Sequence, residues 1–166
     1  MILTIPYQTL EIRNIHLNQF QIDHKGRYIA NMSYKDTSIE IYDVPIITPP
    51  LSVIDYDPNT NRLRLDTQAQ HTFSSKVANV QEFLIQTFYA NRYSFLKNDI
   101  TLDELRSMFQ LLYVNSVLTL YVFPSTPIKC ADGKTIYMNQ LQKGDIIRCI
   151  VRIHGVNFIS GNFPRL

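Results

Sequence analysis

Read at the two-residue period of a strand, GDIIRCIVRIHGVNFIS (residues 144–160) places Ile146, Arg148, Ile150, Arg152 and His154 on one face. Ile147, Cys149, Val151 and Ile153 fall on the other. A row of cations on a strand face meets either water or something negatively charged. A second strand-like stretch, NRLRLDT (61–67), turns Arg62 and Arg64 away from Leu63 and Leu65. FYANRYSFLK (88–97) adds Tyr89, Arg92, Tyr93, Phe95 and Lys97, and Lys129, Lys134 and Lys143 follow in a hairpin region. Rings interleaved with cations are how a single-stranded nucleic acid is held without sequence preference. Lys and Arg meet phosphates, and bases stack on rings for about 1–3 kcal/mol each. The same residues fit a solvated strand face and a helix core, so both readings stay open at this point.

Other chemistry finds less support. Gly133-Lys134-Thr135 resembles the end of a phosphate-binding loop, but Ile128 stands where the motif requires glycine. His16, His24, His71 and His154 have no His or Cys partner at metal-ligand spacing. No G-x-S-x-G is present. Cys149 alternates onto the apolar face, as a structural thiol does. Asp55, Asp57, Asp99, Asp103 and Glu104 sit near turns or a helix start, where capping accounts for them. CADGKTIYMNQLQKGDIIRC resembles the opening block of an intein, but the terminal His-Asn pair is missing. The expectation is a protein that is not an enzyme, with no cofactor and no metal.

The elements that must position these residues follow from pattern. RYIANMSY (27–34), SIEIYDVPIIT (38–48), the extended PPLSVIDYD and NRLRLDT read as strands. Val77, Val80, Leu84 and Phe88, with Phe83 beside them, predict a helix from about 75 to 90 capped by Ser74 or Ser75. Thr101 and Glu104 form a capping box, and a second helix is expected from Leu102 to Tyr113. VLTLYVF (117–123) is a β-branched run ended by Pro124 and Pro127, Asp132-Gly133 is a hairpin signal, and 144–160 reads as one long strand. The expected fold class is α+β, mainly β: an OB-like antiparallel barrel with a helical insertion. It forms a single domain over 1–166, with strands in 1–67, helices in about 75–113 and strands in 117–160.

Composition bounds the rest. The 166 residues are 45% hydrophobic and 18% charged, which suits one folded domain. A net charge of +2 permits a nucleic-acid partner only if the cations cluster. Two cysteines are too few for a disulfide framework, and the expectation is reduced thiols in an intracellular protein. MILTIPYQTLEIR lacks the basic start of a secretory signal, and no run approaches the ~18 apolar residues of a membrane span.

IEIYDVPIITPPLSVIDYD, the strand LRLDT and the helix with VQEFLIQTFYANRY together resemble part of the single-stranded DNA-binding proteins of large cytoplasmic DNA viruses. Ile47-Thr48-Pro49-Pro50-Leu51 corresponds to that family's extended Thr-Pro segment, and KGDIIRCIVRIHGVNF (143–158) looks like its late strand, with Phe158 near the usual tryptophan. The family is similar to the phage T7-type binders, which use an OB barrel with helical insertions. The resemblance implies a non-enzymatic single-stranded DNA-binding protein serving viral DNA replication or repair, in the host cytoplasm or nucleus. Its partners would be single-stranded DNA, then replication proteins or further copies of itself, and no membrane. The clustered cations and rings give Arg62, Arg64, Tyr89, Arg92, Tyr93, Lys143, Arg148 and Arg152 as the nucleic-acid contacts of such a binder. The alternative is a β-rich structural or protein-interaction module of a virion or assembly complex. In that case the aromatic-rich surface meets protein and binding tolerates salt. Within an OB barrel the arginine face of 146–154 either lines the groove or packs against the helices, where Arg148 and Arg152 need acidic partners.

Overall fold

The computed structural model describes residues 3–94, 96 and 99–159, with the backbone alone at Phe158 and Ile159. Phe95, Lys97 and Ser160 lie outside the described residues. The β-rich first part forms β1 (Ile5–Pro6), β2 (Ile15–Leu17), β3 (Gln21–Ile22), β4 (Arg27–Lys35), β5 (Glu40–Tyr42), β6 (Pro45–Ile47), β7 (Leu51–Asp57) and β8 (Arg62–Asp66). Two helices follow, α1 (His71–Ala90) and α2 (Leu102–Met108). The last part comprises β9 (Tyr113–Val114), β10 (Val117–Tyr121), β11 (Pro127–Lys129), β12 (Thr135–Tyr137), β13 (Ile146–Ile147), β14 (Ile150–Arg152) and β15 (Gly155–Ile159). The class is α+β, mainly β.

The long strand expected over 144–160 is instead three short strands, each on a different partner. β13 pairs antiparallel with β7, β14 with β6, and β15 with β4. The physical reason lies opposite. Pro49 and Pro50 separate β6 from β7, and proline has no N–H to offer a ladder. Thr48 bridges the gap: its N–H donates to the Cys149 carbonyl at 2.9 Å, and its Oγ1 accepts from the Cys149 N–H at 3.0 Å. The segment therefore stays extended while it links three sheets, and its alternation survives. Arg148, Ile150, Arg152 and His154 are exposed, and Ile147, Cys149, Val151 and Ile153 point inward.

The single strand expected over 38–48 is likewise split. Asp43 adopts φ 59°, a left-handed conformation that ends β5 before β6 begins. The expected OB-like closure is not drawn by the hydrogen bonds of the described residues. The strands form open sheets in the orders β13-β7-β8-β10-β9, β1-β6-β14 and β15-β4-β2, and β11 pairs with β12 alone.

Helix α1 begins at His71, earlier than its apolar stripe indicates, and neither Ser74 nor Ser75 caps it. Ser74 lies in the first turn, where its hydroxyl bonds the Thr67 carbonyl and hydroxyl at 3.0 and 2.9 Å. The helix serves two apolar clusters. Phe73 and Val77 pack with Leu51, Val53, Leu63, Leu65, Leu118 and Met138. Val80, Leu84, Ile85 and Phe88 pack with Met32, Val44, Ile46, Ile153 and Val156. Each such side chain contributes roughly 1.5–3 kcal/mol on burial.

The capping box at Thr101 and Glu104 forms as expected, but α2 stops at Met108 and does not reach Tyr113. Two contacts hold the following chain extended. Phe109 sets its ring edge-on to Phe88 at 5.4 Å. The buried Gln81 then acts as a strand would: its Oε1 accepts from the Tyr113 N–H at 3.1 Å, and its Nε2 donates to the Tyr113 carbonyl at 3.0 Å. Gln81→Leu leaves both backbone groups unpaired in a half-buried site. It is expected to lower unfolding free energy by about 2–3 kcal/mol in a urea titration, and a loss below about 0.5 kcal/mol would refute the clamp.

Candidate nucleic-acid interface

Strand β8 alternates as its sequence dictates. Leu63 and Leu65 enter the core, while Arg62, Arg64 and Asp66 face outward. Arg62 is registered opposite Tyr121 of β10, and its guanidinium carbon lies 5.7 Å from the Tyr121 ring centre. Past β10 the chain reaches Phe123, whose ring meets Tyr121 edge-on at 5.3 Å. Both rings are largely exposed, 55% and 62%. The β11–β12 hairpin and the 145–157 segment complete a groove of about 1200 Å³. Its lining includes partly buried Leu120, Val122, Ile128, Ile147 and Cys149. Arg62, Lys129, Arg148 and Arg152 line it too.

The structure thus sorts the sequence candidates into two groups. Arg62, Arg148 and Arg152 converge on the groove. Among the described residues, neither Arg148 nor Arg152 has a hydrogen bond or an ion pair; the acidic partners required by packing against the helices are missing. His154, beside them, has Nδ1 3.1 Å from Asp43 Oδ1.

The others lie outside the groove lining. Arg64 grips Asp55 with both Nε and Nη2, the Nε contact measuring 2.8 Å. The hydrogen bond from Arg64 holds the Asp55 carboxyl below its ordinary range, and the charge of Lys143 adds to the effect. Arg64 and Lys143 therefore both act on the Asp55 carboxylate. Arg92 is stacked between Tyr89 and Tyr93, 3.9 and 4.1 Å from the ring centres. Its side chain is only 14% exposed, and it also bonds the Tyr89 carbonyl, the Tyr93 hydroxyl and Asp99. Tyr89, Arg92 and Tyr93 form a self-contained cluster at the end of α1.

Tyr121 and Phe123 are the groove residues that sequence reasoning misses. VLTLYVF reads as a buried apolar run, yet its alternation holds the signal: Leu118, Leu120 and Val122 go one way, Thr119, Tyr121 and Phe123 the other.

Among the described residues, no cluster of His, Cys, Asp or Glu side chains is arranged to hold a metal ion. No helix among them is long and apolar enough to cross a membrane. Burial pushes the Cys149 thiol up to about 11. At pH 8 its thiolate is then roughly one part in a thousand. With iodoacetamide at that pH, Cys130 is expected to alkylate at least about tenfold faster than Cys149 by mass spectrometry. Equal rates would mean that the groove floor is open to water.

Searches of protein families, curated proteins and solved structures give no match to the chain. The functional reading therefore rests on the groove.

Proposed function

We propose that this chain is a non-enzymatic binder of single-stranded DNA that holds the strand in the groove between β10, the β11–β12 hairpin and β14. One observation carries the reading: unpaired Arg148 and Arg152, with Arg62, share one concave surface with exposed Tyr121 and Phe123. Along an extended chain Arg148 and Arg152 stand about 13 Å apart, enough to meet separate phosphates. Unpaired bases then turn toward Tyr121 and Phe123, which a closed duplex denies them. The mainly β architecture with its helical insertion between β8 and β9 supports an OB-like plan, and it agrees with the resemblance to viral single-stranded DNA-binding proteins. A role in viral DNA replication or repair inside the host cell follows from that resemblance.

A second reading, a protein-interaction module of a virion or assembly complex, is favoured by Ile146 and Ile150, which are 65% and 52% exposed among the arginines. Fluorescence anisotropy separates the two readings. A labelled ~30-nucleotide oligo-dT is titrated at ~50 and ~200 mM salt, beside duplex DNA and single-stranded RNA. Micromolar or tighter binding of dT, lost steeply with salt and weaker for duplex, is the expected result. No binding at low salt overturns the DNA reading and moves the groove to a protein partner.

A further inference from the structure

The β11–β12 hairpin forms one wall of the groove, yet it is joined to the rest of the sheet system by no strand pairing among the described residues. Its ladder is internal: Pro127 faces Tyr137, Ile128 faces Ile136, and Lys129 faces Thr135. Apart from the Tyr137 N–H, which donates to Gln140 Oε1 just beyond the arm, its other described bonds are internal as well. The Cys130 N–H donates to the Lys134 carbonyl, Lys129 Nζ donates to Thr135 Oγ1, and Lys134 pairs with Asp132. Only Ile128, Cys130 and Ile136 of the arm are even half-buried; Ile128 touches the second cluster, in which Met138, just beyond the arm, is buried. The arm is therefore a preformed two-stranded unit on a fixed base. It enters through the turn after Phe123, and the chain leaves its base through Gly144 at φ 92°.

The charges across the groove explain why such a unit would move. Lys129 is on the arm, and Arg148 and Arg152 are on the 145–157 segment of the same groove lining. Asp145 is the acid in that lining among the described residues, and its carboxylate is already engaged by the Gln142 N–H at 2.9 Å. Like charges on the arm and on that segment resist closure in the empty groove, and the repulsion acts over a Debye length of about 10 Å at 0.1 M salt. A bound polyanion reverses its sign, because each wall then attracts the strand between them.

We propose that the β11–β12 arm is a flap that closes over a single strand held in the groove and sets how long it stays. Closure brings the charge of Lys129 nearer the phosphates and lowers Ile136 toward the bases. The proposal rests on the nucleic-acid reading for its natural ligand, but the arm's response to a polyanion can be read separately.

Hydrogen exchange of the arm amides, 128–137, is followed on the whole chain alone, with oligo-dT and with inorganic polyphosphate, which has the charge but no bases. In the dT complex, exchange is expected to slow at least about fivefold. A chain in which residues 129–135 are replaced by an Asn-Gly turn is expected to release dT at least about tenfold faster, with association changed less than about threefold. Lys129→Gln, which leaves the ladder intact, is expected to shift release in the same direction by about threefold and covers the case in which the shortened chain does not fold. If dT binds while arm exchange and release stay unchanged, the flap is overturned and the DNA reading stands. If dT does not bind but polyphosphate protects the arm, the flap stands and the DNA reading falls. Protection by neither overturns both.

Discussion

Arg148→Ala combined with Arg152→Ala is expected to weaken oligo-dT binding by about 10- to 100-fold at ~50 mM salt. It is also expected to flatten the log–log salt slope by about 1.4, at about 0.7 per lost phosphate contact on a single strand. The magnitude follows from two charge-assisted contacts at the low end of their range, because both guanidiniums are exposed before binding. Neither arginine is tied to an acid among the described residues, so their loss leaves no orphaned carboxylate, and the melting temperature should move by no more than about a degree or two. Arg64→Ala is the control. It removes the same charge from the same sheet system, but its guanidinium already serves Asp55, so affinity should change less than about threefold. Arg92→Ala tests the other group. Removing a guanidinium stacked between Tyr89 and Tyr93 should lower stability and leave the salt slope unchanged. If all these variants weaken binding alike, the ligand does not occupy the groove and the charge acts only from a distance.

These contrasts show what the sequence can and cannot reveal. Strand faces are legible wherever alternation is strict. Leu63 and Leu65 inward with Arg62 outward, and Cys149 and Val151 inward with Arg148 and Arg152 outward, follow from period two and a core on one side. The capping box at Thr101 and the turn at Asp132-Gly133 are legible because their signals are local. What stays hidden is non-local. The break of 144–160 into β13, β14 and β15 depends on two prolines about a hundred residues earlier. The end of α2 depends on Gln81 reaching Tyr113 from another helix. The division of the cations depends on which one has an acid opposite: Asp55 faces Arg64 across β7 and β8, a register that neither segment announces. Tyr89, Arg92 and Tyr93 read as a group in the sequence, but the stacking of Arg92 between the two rings is a matter of side-chain geometry alone.

Gly155→Ala should do more damage to stability than any groove substitution, lowering unfolding free energy by about 3–5 kcal/mol. Gly155 opens β15 at φ 137°, a conformation that alanine resists, and it sits opposite Asn31 on β4. A Cβ there would lie 1.9 Å from the Ala30 carbonyl oxygen and 2.9 Å from its carbonyl carbon. These are backbone atoms of a strand paired along both sides, so nothing can rotate away. The close approach has a structural purpose. Here the chain leaves β6 for β4: the Ile153 N–H still bonds the Val44 carbonyl, and the His154 carbonyl already accepts from the Met32 N–H at 2.7 Å. Only a residue without a side chain lets the two backbones meet at the switch. Gly133→Ala provides the comparison. It has φ 84°, but an added methyl would meet nothing within 4 Å, so its cost should stay near about 1 kcal/mol. Urea unfolding of the two variants separates crowding from conformational preference. Equal losses would mean that the crossing is looser than its geometry. A large loss at Gly155 alone would tie the arginine wall to the core, because the segment that carries Arg148 and Arg152 is anchored to the central strand at this point.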